Sequence, residues 1–374
     1  MKKNLALVIA LALPLCAQAT FPGSPHLDAA IEEAIARDQI PGAVCLAGKV
    51  EPDGRLTVLH FRAYGNRALA PQREAMTTDT IFDAASLTKV VATSASLMKL
   101  FEQGKVRLND RVTEYLPRFQ GGKSDITVRH LLTHFSGLRE DLDLEPAWSG
   151  YETGVEKALV DPPIAEPGQR FIYSDINFIL LGEIVRVVSG RPLDQFAREE
   201  VFEPLGMKET TFNPPAEWIP RIAPTEIVNG KLLRGTVHDP NTRYMGGVAG
   251  HAGMFTTAED LARFATVILN LGRLPDGRQW VSPLTVRKFA EPQTPPIQPT
   301  LRGLGWDIDS PYSGNRGELY PLGSFGHTGF TGTSLWIDPQ TRSFVILLAN
   351  SVHPHRRPAI TPLRSKVATI VAAA

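Results

Sequence analysis

The placement of strand-like segments at the two ends of the chain constrains the fold most. Two β-rich runs, "GAVCLAGKV" and "LTVLHFRAYG", flank the hairpin signal "EPDGR" near the N-terminus. Two more, "GTSLWIDP" and "SFVILLANS", are joined by a short "QTR" turn near the C-terminus. Between these ends, apolar residues recur at helical spacing, as in "INFILLGEIVRVVSG". This order predicts an α/β (α+β) fold, in which both termini form a central antiparallel sheet flanked by helices and a mainly helical domain is inserted between them.

The Pro-rich stretch "EPQTPPIQP" marks a natural boundary between the helical section and the last strands. With 374 residues, the chain is long enough for one large domain or two coupled ones. We therefore predict an α/β sheet domain over 20–90 and 291–374, and a mainly helical domain over 91–290.

The N-terminus has the pattern of an export signal. Lys2 and Lys3 precede the apolar run "LALVIALALPLCA", and the following "AQA" has the small-x-small form of a cleavage site. This predicts a signal peptide over 1–19 and an exported protein, either periplasmic or secreted. Cys16 raises the alternative of a lipoprotein, but Leu15 stands before it where a small residue is expected, which disfavours that alternative.

Charge and cysteine content exclude several classes of protein. The full chain has 39 basic and 39 acidic residues, and loss of Lys2 and Lys3 with the signal peptide leaves 37 against 39. No basic stripe suggests a nucleic-acid partner, and no later apolar run is long enough for a transmembrane segment in the mature chain. Cys45 is then the only cysteine, which excludes an intrachain disulfide and indicates a packed core thiol.

Two copies of the pattern Ser-x-x-Lys, "SLTK" at 86–89 and "SLMK" at 96–99, compete for the role of a nucleophile and its partner. The pattern alone is a weak signal, because in both copies it places a hydroxyl and an amine one helical turn apart. The two copies lie about 15 Å apart along a helix and about 80° apart around it, so they cannot serve the same site. Ser86 falls at a strand-to-helix junction, where backbone N–H groups are free to bind a developing oxyanion, and Ser96 falls in mid-helix. This favours Ser86.

Two further segments carry residues of catalytic type. Tyr173, in "RFIYSDINF", precedes a long apolar helix and could project its phenol from a loop into a cleft. The segment "FGHTGFTGTSLWIDP" places several glycines at the entry of a strand, where backbone can approach a ligand closely. Taken singly, Tyr173 is better explained as a buried tyrosine with one hydrogen bond, and a Gly-rich turn that leads into an edge strand explains the glycines equally well.

Taken together, the Ser-x-x-Lys, Tyr-Ser-Asp and His-Thr-Gly segments resemble the serine β-lactamase-like superfamily, which includes class C β-lactamases, DD-peptidases, D-aminopeptidases and related esterases. The segments "LLTHFSGL", "FEPLGM" and "GVAGHAGMFTTAEDLARF" are similar to landmarks of its penicillin-binding-protein-related branch. The resemblance covers essentially all of the mature chain and specifies no substrate.

The resemblance implies a β-lactamase/transpeptidase-like fold with the active site in the cleft between a sheet domain and a helical domain. It implies that Ser86 attacks a carbonyl to form an acyl-enzyme, and that Lys89 and Tyr173 share the proton transfers. It also implies that the N–H groups of Ser86 and Phe330 form the oxyanion hole. Substrate contacts are expected from the residues that complete the second and third motifs, namely Asp175, His327, Thr328 and Gly329. Neither a metal nor an organic cofactor is implied.

Two positions differ from the β-lactamase pattern, and both differences make the cleft less positive. His327 replaces the usual Lys, and Asp175 replaces the usual Asn. These changes argue against efficient β-lactam hydrolysis and favour a neutral ester or amide, or a substrate with an amine near the reacting bond. Because Asp175 is expected to raise the pKa of Lys89 and hold it charged, we expect Tyr173 to take the Ser86 proton, with Lys89 as electrostatic support.

Other histidines are weaker candidates. The two histidines of "HPH" at 353–355 could ligate a metal, but no carboxylate or thiolate accompanies them in sequence, which favours a structural loop. His134 is expected to be structural, and His251 lies in a Gly-rich segment that could rim the cleft.

The sequence thus predicts an exported serine hydrolase that acts through an acyl-enzyme on amide or peptide bonds of cell-wall-type substrates, in the manner of a DD-carboxypeptidase. The alternatives are a carboxylesterase, a D-aminopeptidase or a weak β-lactamase. A non-catalytic penicillin-binding sensor, which is acylated once and stays acylated, is the rival from another class. The predicted partner is a small-molecule or peptide substrate, such as a peptidoglycan fragment, an ester or a β-lactam.

Overall fold

An eight-stranded antiparallel sheet built from both ends of the chain dominates the computed structural model, which describes residues 21–374. Its strand order is β3-β2-β1-β13-β12-β11-β10-β9, so the N-terminal hairpin pairs directly with the last strand of the chain. The predicted signal peptide, 1–19, lies outside the described residues. The strands of this sheet are β1 (Gly42–Val50), β2 (Leu56–Ala68), β3 (Glu74–Ala75), β9 (Leu301–Arg302), β10 (Asp307–Asp309), β11 (Phe325–Thr328), β12 (Ser334–Asp338) and β13 (Ser343–Ala349).

The sheet is buried on both faces, which explains why its central strands are apolar throughout rather than alternating. Along β1, Val44 and Leu46 face the main core, whereas Ala43 and Cys45 face a second core beneath the first and last helices. The same alternation continues in β13, which pairs with β1 in antiparallel register. Cys45 is fully buried, as expected for a core thiol, and burial raises the pKa of its thiol to about 12.

Helices lie on both faces of the sheet and fill the middle of the chain. The first and last helices pack against each other on one face, and α9 packs on β1 and β13 from the other. The helices are α1 (Ser24–Ala36), α2 (Ala95–Glu102), α3 (Val112–Tyr115), α4 (Val128–Thr133), α5 (Tyr151–Val160), α6 (Asp175–Ser189), α7 (Leu193–Ala197), α8 (Pro240–Tyr244), α9 (Ala258–Leu269), α10 (Pro283–Ala290) and α11 (Thr361–Ala372). The fold is therefore the predicted α/β architecture, while the domain boundaries at 90 and 291 stay predictions.

Short strands within the middle section hold the segment that precedes Ser86. A three-stranded sheet pairs β4 (Phe82–Asp83) and β5 (Thr211–Phe212) with β8 (Met254–Thr256), and a separate hairpin pairs β6 (Ile227–Val228) with β7 (Lys231–Leu232). No helix within residues 21–374 combines the length and the apolar character needed to cross a bilayer.

Candidate active site

Ser86 lies on a tight turn between β4 and the helical segment that leads into α2. The residue before it, Ala85, has a left-handed φ of 46°, a conformation that costs an L-residue roughly 1–2 kcal/mol. The buried carboxylate of Asp83 stabilises this turn, because it accepts hydrogen bonds from the N–H of Ala85 at 2.9 Å and the N–H of His238 at 2.6 Å. The helix then continues as a π-helix over Lys89–Ser94, a form common near functional sites.

Lys89 is fully buried and its ammonium connects the nucleophile to the second motif. Its Nζ donates to Ser86 Oγ at 2.9 Å and to the backbone oxygen of His251 at 3.1 Å, and it lies 2.6 Å from Asp175 Oδ1. Burial alone would lower the pKa of Lys89, but the negative charge of Asp175, with a further contribution from Tyr173, outweighs burial and raises it. Lys89 is therefore an ammonium at neutral pH, as the sequence predicted from Asp175.

Tyr173 lies in the loop before α6, and its ring is fixed by an imidazole. The Tyr173 and His134 rings are stacked with centroids 4.5 Å apart, and Nδ1 of His134 accepts a hydrogen bond from the N–H of Ser174 at 3.0 Å. The centre of the Tyr173 ring lies 5.0 Å from Lys89 Nζ. The buried His134 thus orients the tyrosine, which is consistent with the structural role expected for it.

The His-Thr-Gly segment ends β11 and faces the same cleft. His327 is buried and donates from Nδ1 to the carbonyl of Thr328 at 2.8 Å. Burial, together with the charges of Arg302 and Lys89, lowers its pKa well below the usual value, so this ring is neutral. Gly329 allows a close backbone approach, because a Cβ at this position would lie 2.6 Å from the carbonyl oxygen of Ala84. The turn that contains Phe330 therefore packs directly against the turn that carries Ser86.

A cleft of about 360 Å³ brings most of the predicted residues together. Ser86 and Tyr173 line it together with the whole third motif, while Lys89 lies beneath Ser86 and pairs with Asp175. Two exposed aromatic rings, Tyr312 and Phe330, also line this cleft. The third motif contributes His327, Thr328 and Gly329 to this lining, and Phe330, which follows the motif, also lines the cleft.

Sequence reasoning missed the arginines of this cleft. Among residues 21–374, four arginines and one acid, Asp307, line it; the arginines are Arg302, Arg356, Arg357 and Arg364. Arg302 is only 1% exposed and lies 3.4 Å from Asp307, and its Nε has no hydrogen-bond partner within the described residues. The prediction of a less positive cleft was made from His327 and Asp175 alone and took no account of these arginines, of which Arg302 lies on β9 and Arg364 on α11. The spacing of the three motifs carried no signal for them.

A buried ion-pair network adjoins Lys89. His251 is fully buried and its Nε2 lies 2.9 Å from Asp239 and 3.0 Å from Thr242 Oγ1. Burial alone would lower the pKa of His251 and raise that of Asp239, but their mutual attraction reverses both directions. Nearby Asp141 has its pKa raised to about 6 by burial and by the charge of Asp175. His251 thus supports the site through its backbone oxygen and this network rather than rimming the cleft.

This network also contains the one grouping of metal-ligand type found in residues 21–374. Ligand-type atoms of Asp175, Asp239 and His251 lie within 4.8 Å of one another. The Lys89 ammonium already contacts Asp175 at 2.6 Å and supplies a cation there, so the group is accounted for as an ion-pair network. The candidate pair at 353–355 is structural at His353, whose ring nitrogens contact the backbone of Leu69 and Thr225.

Comparison with known proteins identifies the family. The chain matches the family model described as Beta-lactamase over residues 27–369. It is 33% identical over 325 residues to an Escherichia coli (strain K12) protein described as "Putative D-alanyl-D-alanine carboxypeptidase", covering 78% of this chain and 74% of that protein.

Two solved structures share the fold. A penicillin-binding protein homologue from Caulobacter crescentus has a TM-score of 0.75 at 20% identity and covers 96% of this chain and 99% of its own. EstCE1, described as a hydrolase with promiscuous acyltransferase activity, has a TM-score of 0.75 at 21% identity and covers 94% and 98%. The match across residues 27–369 and the identity to the carboxypeptidase-named relative show that this chain is a serine hydrolase of the beta-lactamase family.

Proposed function

We propose that this protein is an exported serine peptidase that removes the C-terminal residue from cell-wall-type peptides, in the manner of a DD-carboxypeptidase. The description of the Escherichia coli relative supports this substrate class. Export rests on the sequence pattern over 1–19, and N-terminal sequencing of the protein from a bacterial periplasmic fraction tests it. A mature protein that still begins at Met1 would contradict export.

The observation that carries the carboxypeptidase assignment is the arginine-lined side of the cleft. A carboxypeptidase must bind the carboxylate next to the bond that it cleaves, and a buried guanidinium binds carboxylates through charge-assisted hydrogen bonds. Arg302 is the strongest candidate, because it is buried within the cleft lining and retains an Nε without a partner in the described chain. Its guanidinium lies 6.0 Å from the centre of the Tyr173 ring, and this distance supports a carboxylate site beside the proposed reacting groups.

In the proposed mechanism, Ser86 attacks the carbonyl of the scissile amide while Tyr173 accepts the Ser86 proton. The Lys89 ammonium, held by Asp175, stabilises the phenolate form of Tyr173 and keeps Ser86 Oγ oriented through their 2.9 Å hydrogen bond. The N–H groups of Ser86 and Phe330 bind the oxyanion of the tetrahedral intermediate. Its collapse breaks the C–N bond, and the leaving amine takes the proton from Tyr173. Water then hydrolyses the Ser86 ester and restores the enzyme.

A carboxylesterase is the second candidate, and the aromatic rim of the cleft favours it. Phe330 is 63% exposed and stacks beside His238 with ring centroids 5.6 Å apart, and the half-exposed Tyr312 lines the same cleft. Exposed aromatic rings beside a nucleophile suit an apolar acyl or alcohol group.

The experiment compares two peptides that differ only in their C-terminal charge. Diacetyl-Lys-D-Ala-D-Ala and its C-terminal amide are incubated with the protein, with Ser86→Ala as the control, and D-Ala or D-Ala amide release is measured. We expect kcat/KM to be about 100-fold higher for the free carboxylate, as loss of a buried charge-assisted contact implies. Equal rates on both peptides, with faster turnover of aryl esters, would instead support the carboxylesterase. A Ser86 adduct that persists for hours with no product release would support the non-catalytic sensor.

A further inference from the structure

The two N–H groups expected to bind the oxyanion belong to the Ala85–Ser86 and Gly329–Phe330 peptide units. In each unit, the carbonyl oxygen accepts a hydrogen bond from a buried side chain. Within residues 21–374, neither the Ser86 N–H nor the Phe330 N–H donates to another protein group. A trans peptide is planar, so its N–H and C=O point in opposite directions. Whatever binds the carbonyl of Ala85 or of Gly329 therefore fixes the direction of the N–H that follows it.

The carbonyl on the Ser86 side is bound by a neutral hydroxyl. Thr88 Oγ1 donates to the Ala85 oxygen at 2.6 Å, and the backbone N–H of Thr88 donates to it at 3.0 Å. Thr88 is fully buried, so this contact is shielded from water.

The carbonyl on the Phe330 side is bound by a charged group from the last helix. Arg364, on α11, donates from Nη2 to the Gly329 oxygen at 2.8 Å and to the Thr333 oxygen at 2.9 Å. These two carbonyls bracket the turn that contains Phe330, and the N–H of Gly329 closes that turn by donating to Thr333 at 2.8 Å. Arg364 therefore fixes the orientation of this turn through its two flanking carbonyl groups.

Arg364 carries a buried charge without an acidic partner. It is 8% exposed, and no carboxylate in residues 21–374 lies within ion-pair distance of it. Burial lowers its pKa to about 10, which still leaves it a cation at neutral pH. A buried charge without a counter-ion is costly to the fold, and Arg364 also lines the cleft that contains Ser86.

We propose that Arg364 is a positioning residue of the oxyanion hole, which acts through the Gly329–Phe330 peptide. Its guanidinium holds that peptide with the Phe330 N–H directed into the cleft, and it polarises the peptide so that this N–H becomes a stronger donor. The charge that lacks a carboxylate partner in the fold is then compensated in part when the substrate oxyanion develops. This inference rests on the proposed acyl-enzyme chemistry of Ser86, but not on the identity of the peptide substrate.

The test uses 4-nitrophenyl acetate as substrate and phenylboronic acid as a probe that forms a tetrahedral adduct with the serine. Arg364→Met is compared with Arg364→Lys and with Lys366→Met, a control on the same helix whose exposed side chain pairs with Glu33. Since loss of a direct oxyanion donor costs about 10²–10³ in kcat, we expect Arg364→Met to lower kcat by about 30-fold and to leave KM within about threefold. Phenylboronic acid should bind Arg364→Met about 30-fold more weakly. Arg364→Lys should recover part of both losses, and Lys366→Met should match the parent protein.

A kcat within threefold of the parent for Arg364→Met would overturn the proposal, and so would a loss of kcat without a matching loss of boronic acid affinity. If Arg364→Met is unfolded, as thermal melting would reveal, Arg364→Ala is assayed with and without 20 mM methylguanidine. An increase of at least tenfold, absent from Lys366→Met, supports the proposal, and no increase contradicts it. If Ser86→Ala retains full activity, the acyl-enzyme mechanism itself has failed, which separates that outcome from failure at Arg364.

Discussion

The pairs at 86–89 and 96–99 have the same spacing on one continuous helical segment, yet their surroundings differ completely. Lys89 Nζ donates to Ser86 Oγ at 2.9 Å, whereas Lys99 Nζ donates to the backbone oxygen of Trp280 at 2.9 Å. Ser96 is buried, and its Oγ has no hydrogen-bond partner within the described residues. The local spacing places a serine hydroxyl near a lysine amine in both pairs. Residues distant in sequence determine whether such a pair lies in a catalytic site.

The surroundings of the first pair are electrostatic as well as geometric. Asp175 lies 2.6 Å from Lys89, and the Ser86 N–H, which follows the strained turn at Ala85, has no acceptor within the described residues. Ser96 lies within the regular backbone of α2, whose N–H groups are engaged in the helix. We therefore attribute the activity of Ser86 to its surroundings. Four sets of variants test this attribution, in order of expected effect.

Replacing the two serines in turn should give the largest contrast. Ser86→Ala should lower kcat for 4-nitrophenyl acetate by at least about 10⁴-fold, as loss of a catalytic nucleophile does in serine hydrolases. Ser96→Ala should leave kcat within about threefold, because its hydroxyl makes no contact with the cleft. Initial-rate assays on both proteins, with matched melting curves, measure the contrast. Equal losses from the two variants would mean that the wrong pair has been selected.

Replacing the two lysines should give the next largest contrast. Lys89→Met should lower kcat by about 10³-fold, because the ammonium orients Ser86 Oγ and stabilises negative charge on Tyr173. Lys99→Met should retain activity and lose about 1 kcal/mol of unfolding free energy with its hydrogen bond to Trp280. Urea unfolding gives the second quantity. A Lys99→Met protein that is stable but inactive would contradict this assignment.

The same contrasts separate the features that could be predicted from the sequence from those that could not. The sheet, the helices and the three motifs were predictable, because periodicity and short motifs are local properties of a sequence. Arg302 and Arg364 were not predictable, because β9 and α11 bring them to the cleft and neither belongs to a motif. The ion pair of His251 with Asp239 was not predictable either, because Asp239 lies 12 residues before His251 and outside every motif, and their pairing depends on the turn after α8.

Asp175→Asn tests the charge state on which the proposed base depends. Loss of this carboxylate removes the interaction that raises the pKa of Lys89, so the basic limb of the acylation pH profile should move to lower pH. The acidic limb should move the same way, because a neighbouring negative charge that favours proton binding has gone. The charged or titratable groups that contact or neighbour Lys89 are Asp175, Tyr173, His134, His251 and His327, with Asp239 and Asp141 beyond them. We expect kcat to fall about tenfold, and an unchanged acidic limb would rule out Tyr173 as the base.

Arg302→Gln should give the most selective effect, because it should affect only one of the two substrates. It should lower kcat/KM for diacetyl-Lys-D-Ala-D-Ala about tenfold and leave 4-nitrophenyl acetate hydrolysis within about twofold, because only the peptide carries a carboxylate. Arg357→Gln is the matched control, since Arg357 lines the same cleft but pairs with Asp38 at 2.9 Å. Equal losses on both substrates would indicate a structural role for Arg302.

Intact-mass spectrometry with peptide mapping tests the central claim, that the surroundings of Ser86 make it the nucleophile, most directly. The protein is mixed with 4-nitrophenyl acetate, quenched in acid within seconds and digested, and the same is done with Ser86→Ala and Ser96→Ala. We predict one acetyl group per chain, on the peptide that contains Ser86, in the parent protein and in Ser96→Ala, and none in Ser86→Ala. An acetyl group on Ser96, or an adduct that survives in Ser86→Ala, would contradict the account.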